Sequence, residues 1–303
     1  MATVQLTPVG VGIRHVLIAT DFSPCSSAAL DFGLRVAKDS KANASVVFVL
    51  PSDQFLLSGP EVYGAARDAA RRDLQELQAE LNRTHAYVEG EDYHCFLLEG
   101  DVVEAVLDFA RKNGIDLIVV GTHGRSGLPK ALLGSVAERI FRHAPVPVLT
   151  LGPGLRHRAL HAAPKQILVA ADFTPASRRA VGYASRLARE HNSHLTLLHV
   201  LAPKQLEHVP DRAVVEHSIQ VRLKELLGGG AEGVQCSVRT EVGSVTPTVL
   251  ECANEIAADL LVLGVRASSG VLDRLVIPHA YEIVRDAPCP VLTLREEPVD
   301  ADL

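Results

Sequence analysis

Residues 115–140 read "IDLIVVGTHGRSGLPKALLGSVAERI". An Ile/Val-rich run, set between Gly114 and Gly121, has the composition and length of a buried β-strand. Four glycines follow at 121, 124, 127 and 134, and the last stands directly before "SVAERIFRH", an amphipathic helix pattern. Strand, glycine-rich loop and helix in that order belong to a parallel α/β sheet.

Working outward, the same alternation continues. Upstream lie a helix "DVVEAVLDFARKN" stopped by Gly114, a strand "DYHCFLL", and a long amphipathic helix "EVYGAARDAARRDLQELQAEL". Before them come a strand "ASVVFVL" and a helix from Ser23 as N-cap and Pro24 at its first position, and "IRHVLIAT" begins the series. Downstream, "PVPVLTL" closes it as a fifth strand. Five strands with interleaved helices and near-continuous apolar runs predict a doubly wound parallel sheet of order 3-2-1-4-5, covered on both faces.

The pattern occurs twice. "RHVLIATDFSPCSSAALDFGLRVAKDSKANASVVFVL" (14–50) matches "KQILVAADFTPASRRAVGYASRLAREHNSHLTLLHVL" (165–201) at a constant offset of 151. "HAPVPVLTL" (143–151) matches "DAPCPVLTL" (286–294) at an offset of 143, the first copy carrying a longer helix-and-loop segment over 51–99. The chain is therefore a tandem duplication: domain 1 over 1–152, a Gly/Pro-bearing linker over 152–164, and domain 2 over 164–303. Both closing strands would be exposed apolar edges if left alone, so they are expected to pair, giving a pseudo-twofold dimer of domains within one chain. Homodimerisation of such chains stays open.

Bulk properties narrow the function classes. With 303 residues, 47% hydrophobic and 22% charged, the chain has the composition of an ordinary globular protein. A net charge of −6 leaves no basic surplus for phosphate backbones, which argues against nucleic acid as a partner. No apolar run approaches the ~20 residues needed to cross a bilayer, and the first residues carry no signal-peptide pattern, so a cytoplasmic location is expected. Five scattered cysteines without a CxxC spacing read as free thiols.

In such a sheet the ligand site lies beyond the carboxyl ends of strands 1 and 4, where strand order reverses. "ATDFSP" and "GTHGRSG" end those strands. Gly121 and Gly124 allow positive φ and close backbone approach, and Gly134-Ser135 opens a helix whose N–H groups face the same crevice. Exposed amides, a helix N-terminus and a hydroxyl together make a phosphate site.

Asp21 at the end of strand 1, with the G-x2-G-x9-G-S spacing after strand 4, resembles the ATP-binding branch of the universal stress protein family, over nearly the whole chain. The resemblance implies that Gly121, Gly124, Gly134 and Ser135 line the phosphates and ribose, and that Asp21 and Val49 line the adenine side. Thr20, Thr122, His123, Arg125 and Val136 are the neighbours expected to complete the pocket. It implies an adenine-nucleotide sensor in stress adaptation, with ATP, and Mg²⁺ brought by the nucleotide near Asp21, as ligand, and a signalling partner that the sequence does not identify. No catalytic residue and no resident metal are assigned, since the chain has no P-loop, no HExxH and no GxSxG elbow. The alternative is an enzyme of the related adenine-nucleotide α-hydrolase type, or a slow ATPase.

Domain 2 departs from this motif. Gly264 matches Gly121, but Ala267 replaces Gly124, Ile277 replaces Gly134, Pro278 replaces Ser135 and Asp273 replaces Lys130. A branched Ile tolerates positive φ poorly and Pro removes an N–H, so domain 2 is expected to keep the fold and to have lost the phosphate site.

Overall fold

The computed structural model describes residues 11–55, 59–84, 87–122, 134–152, 155, 162–207, 210–228, 233–266 and 278–296. Domain 1 comprises β1 (His15–Ala19), α1 (Pro24–Ser40), β2 (Asn43–Pro51), a 3-10 turn (Ser52–Phe55), α2 (Pro60–Thr84), β3 (Tyr93–Gly100), α3 (Val102–Lys112), β4 (Leu117–Gly121), α4 (Ser135–His143) and β5 (Val148–Leu151). Domain 2 repeats the plan with β6 (Gln166–Ala170), α5 (Pro175–His191), β7 (His194–Leu201), a 3-10 turn (Pro203–Leu206), α6 (Arg212–Leu227), β8 (Gln235–Val242), α7 (Val245–Glu255), β9 (Leu260–Val265), α8 (Pro278–Asp286) and β10 (Val291–Arg295).

All ten strands form one sheet, ordered β3-β2-β1-β4-β5-β10-β9-β6-β7-β8. Each half has the expected 3-2-1-4-5 order, and all pairs within a half are parallel. The halves meet where β5 and β10 pair antiparallel, Leu149 opposite Leu292. The two closing strands thus cover each other, as their apolar sequences require. Thr150 Oγ1 donates to the Val291 carbonyl (3.1 Å) and Thr293 Oγ1 to the Val148 carbonyl (3.2 Å), a reciprocal pair across the seam.

Two apolar layers sandwich the sheet. On one face α1 and α5 bury Ala29, Leu30, Leu34, Ala180 and Ala184 against the strands. On the other, α3, α4, α7 and α8 bury Val106, Ile140, Val249 and Ile283. Both halves start with the same device: Asp116 Oδ2 accepts the N–H groups of Arg14 and His15 (2.8 and 3.0 Å), and Asp259 Oδ2 accepts those of Lys165 and Gln166 (2.9 and 3.0 Å). Each carboxylate ties the start of one parallel strand to its neighbour and satisfies two donors that the ladder leaves over.

Candidate functional site

An open cleft of about 670 Å³ lies at the carboxyl end of the domain 1 strands, where the order reverses between β1 and β4. Its floor is the ends of β1, β2 and β4, including Val47, Val49 and Val120; α2 contributes Ala66, Ala69, Ala70 and Asp73, and α4 contributes Ser135 to Ala137. Of the residues expected from sequence, Thr20, Asp21, Val49, Gly121, Thr122, Gly134, Ser135 and Val136 all line this one cleft. His123, Gly124 and Arg125 lie outside the described residues.

The turn from β1 into α1 is built by short side chains. Ser23 caps α1 by accepting the Ser26 N–H (3.2 Å), and Asp21 Oδ1 in turn accepts the Ser23 N–H (3.0 Å). Thr20 Oγ1 accepts the Phe22 N–H (3.1 Å). Phe22 is held in the left-handed region at φ 61°, which is costly for a residue with a Cβ. Its ring meets Phe48 with centroids 4.8 Å apart. Phe173 repeats the conformation at φ 64° in domain 2, so the strain belongs to this turn of the fold rather than to one ligand.

The expectation for Gly121 needs correcting. It is an ordinary strand residue and is not among the positive-φ glycines. What it needs is space: a Cβ there would stand 2.8 Å from the Cys25 carbonyl carbon and 2.9 Å from its oxygen, in the first turn of α1. Gly264 is tighter still, with Ala176 C and Ser177 N at 2.4 Å. Helix-on-strand packing therefore accounts for the one glycine of the motif that both halves keep.

Gly134 also differs from a left-handed hinge. It is the N-cap of α4 at φ −61°, ψ 132°, extended backbone open to any residue, so the stiffness of Ile277 at positive φ does not explain the change in domain 2. Its N–H donates to the Thr122 carbonyl (2.7 Å), pinning the helix start to the end of β4. The first helical bond runs from Glu138 N–H to the Gly134 carbonyl (3.0 Å), leaving Ser135, Val136 and Ala137 with N–H groups that no turn of α4 satisfies. Among the described residues no side chain caps them. The glycine itself adds no side chain over this end, where three amides and the positive end of the dipole border the cleft.

Asp101 steadies that end. As the N-cap of α3 it accepts the Val103 and Glu104 N–H groups (3.0 Å each), and Arg139 of α4 reaches it at 3.3 Å. The Glu104 N–H foremost, with Arg139 and the Val103 N–H, holds the Asp101 carboxyl below its usual range, against a smaller opposing effect of burial. A depressed folded pKa means stability present above the unfolded value and lost as pH falls through the folded one. Asp101→Ala is thus expected to cost about 1 kcal/mol near neutral pH. Urea melts should show the difference from the parent shrinking as acid protonates Asp101; a pH-independent difference would refute the capping role.

The sequence reading did not anticipate α2 as a wall. Ala66, Ala69 and Ala70 stand at i, i+3 and i+4, a small-residue stripe that spacing alone could have placed on one face. Asp73, one turn further, is with Asp21 one of two charged residues among the described lining. Phe55 in the turn after β2 was likewise missed.

The domain 2 counterpart is furnished differently. Ala171 replaces Thr20, and Arg222 of α6 stands over the Phe173 ring at 4.1 Å, with His199 on the strand β7 at 4.7 Å from the same ring. Near the start of α8, Thr246 Oγ1 donates to Glu282 (2.7 Å) with His279 Nδ1 at 3.1 Å. Glu282 occupies the position of Arg139, so a carboxylate stands where domain 1 has a cation. That inversion disfavours an anion at this end.

Comparison with known proteins agrees with the tandem fold. The model of the universal stress protein family matches residues 12–151 and again 164–295. A universal stress protein of Methanocaldococcus jannaschii is 33% identical over 140 residues, 46% of this chain and 81% of that protein. Universal stress protein A homolog 1 of Coxiella burnetii is 35% identical over 145 residues, 46% of this chain and 95% of its own length. Among solved structures, a universal stress protein from Archaeoglobus fulgidus superposes with a TM-score of 0.71 at 22% identity, over 95% of this chain and 98% of that one, which supports the tandem fold. Two matched copies, joined edge to edge in one sheet, make this chain a tandem member of the universal stress protein family.

Proposed function

We propose that the chain is an ATP-binding regulator of stress adaptation that holds one nucleotide in domain 1. The observation that carries this reading is the start of α4, without a side-chain cap among the described residues, set in a cleft with an apolar floor. The polyphosphate lies against the Ser135–Ala137 amides and the Ser135 hydroxyl, and the base lies over Val47 and Val49 beside the alanine stripe of α2. Asp21 faces the same cleft and is a carboxylate able to meet a Mg²⁺ that arrives with the nucleotide.

Sensing rather than turnover fits the side chains best. Asp21 Oδ1 already accepts the Ser23 N–H, and two carboxylates without a cationic residue among the described lining are a poor set for phosphoryl transfer. The corresponding end of domain 2, with Arg222 over Phe173 and Glu282 in the first turns of α8, is assigned no ATP.

The expected result is a single tight ATP per chain, measured by calorimetry on the full-length protein and by identifying nucleotide that co-purifies with it. Radiolabelled ATP should be recovered intact from the complex. Two equivalent sites, or no site, would overturn the assignment, and steady release of ADP or AMP would convert the reading to that of an enzyme.

A further inference from the structure

A second cleft, of about 550 Å³, lies on the α1/α5 side of the sheet where domain 2 meets domain 1. Arg178, Arg179 and Arg186 of α5 line it, with Asp116 and Pro147 supplied by domain 1. Arg179 is anchored at the end of β10, its Nη1 donating to the Arg295 backbone carbonyl (2.8 Å), while the Arg295 side chain is not part of the lining. The Arg295 Nε is buried without a hydrogen-bond partner among the described residues. Burial, followed by the neighbouring Arg179 guanidinium, holds the Arg295 pKa below its usual value. Like charges have been gathered here at an energetic cost.

The duplication shows that the fold does not demand them. The domain 1 positions equivalent to Arg178, Arg179 and Arg295 are Ser27, Ala28 and Gly152, and of the four only Arg186 has an arginine counterpart, Arg35. Two of the three arginines that line the cleft, Arg178 and Arg179, thus stand in one domain while the same scaffold does without them in the other. Asp116, the acid on the rim, already uses one oxygen for two backbone N–H groups at the start of β1. Guanidinium groups present planar, paired donors suited to phosphate oxygens, and several on one wall select for multiple charges.

We infer that this interdomain cleft is a second ligand site, taking a small, multiply charged phosphate-bearing anion held by Arg178, Arg179 and Arg186. It is separate from the domain 1 cleft and stands or falls independently of the ATP assignment.

The test uses inorganic pyrophosphate as probe and calorimetry on the full-length chain carrying Gly134→Val, which obstructs the α4 site. One saturable site that weakens as salt is raised is expected. Adding Arg178→Ser and Arg179→Ala, the residues that domain 1 carries, should weaken binding at least tenfold with an unchanged thermal melt. Arg186→Ala provides a second variant, expected to act in the same direction. Absence of pyrophosphate binding, or full affinity in both arginine variants, overturns the proposal. So does binding that appears only after residues 297–303 are deleted, because the cleft then belongs to the acidic segment of the chain itself.

Discussion

Replacing Gly134-Ser135 with the Ile-Pro pair that stands at 277–278 is expected to abolish tight ATP binding while leaving the fold intact. Proline is compatible with the first position of a helix, where its missing N–H breaks no helical bond, so α4 should form as α8 does from Pro278. The same change removes one N–H and one hydroxyl from the end to which the phosphates are assigned, and the branched Ile covers part of what remains. Two hydrogen bonds to a charged group are worth about 3–6 kcal/mol. That corresponds to roughly a hundredfold loss of affinity or more. Calorimetry would detect it directly, with a thermal melt as control. Retained affinity in a folded double variant would show that the phosphates lie elsewhere.

The second large effect concerns stability rather than binding. Gly264→Ala should destabilise domain 2 severely, since the added Cβ would stand 2.4 Å from Ala176 C and Ser177 N and 2.6 Å from the Ala176 oxygen. These are backbone atoms in the first turn of α5, and that turn is fixed by the Thr174 cap, whose Oγ1 accepts the Ser177 N–H. Relief requires the helix to shift off β9, which places the cost at about 3 kcal/mol or more. Gly121→Ala meets its neighbours at 2.8–3.0 Å and should cost less in the same direction. Urea denaturation of both variants gives the ranking; a Gly264→Ala protein as stable as its parent would contradict the packing account.

These two glycines show what the sequence disclosed and what it withheld. Strand and helix order, the tandem duplication and the meeting of β5 with β10 were all legible, because apolar periodicity, Ser23-Pro24 at a helix start and unpaired apolar edges are local signals. The place of the cleft followed from strand order alone. The reason for each glycine did not. A glycine that serves a left-handed turn, one that admits a neighbouring helix and one that leaves a helix end bare look identical in a sequence. Gly121 serves the second purpose and Gly134 the third. The α2 wall was hidden for a related reason: Ala66, Ala69, Ala70 and Asp73 come to the cleft through tertiary packing that nothing in their own segment specifies. Likewise, the gathering of Arg178, Arg179 and Arg295 depends on β10 ending beside the first turns of α5, over a hundred residues away in sequence.

The reciprocal threonine bonds across β5 and β10 are the mark of a twofold contact, the kind that identical subunits make when they pair. Between identical subunits every substitution occurs twice, so neither half can lose or gain a site unless both do. Within a single polypeptide that constraint disappears. One half is at liberty to shed Gly134-Ser135 in favour of Ile-Pro, and to acquire guanidinium groups where the other has Ser27 and Ala28, without disturbing its twin. The companion half is also always present at a fixed effective concentration, so dilution does not dissolve the pairing. The continuous sheet thus joins two differently furnished halves that a symmetric homodimer would have kept the same.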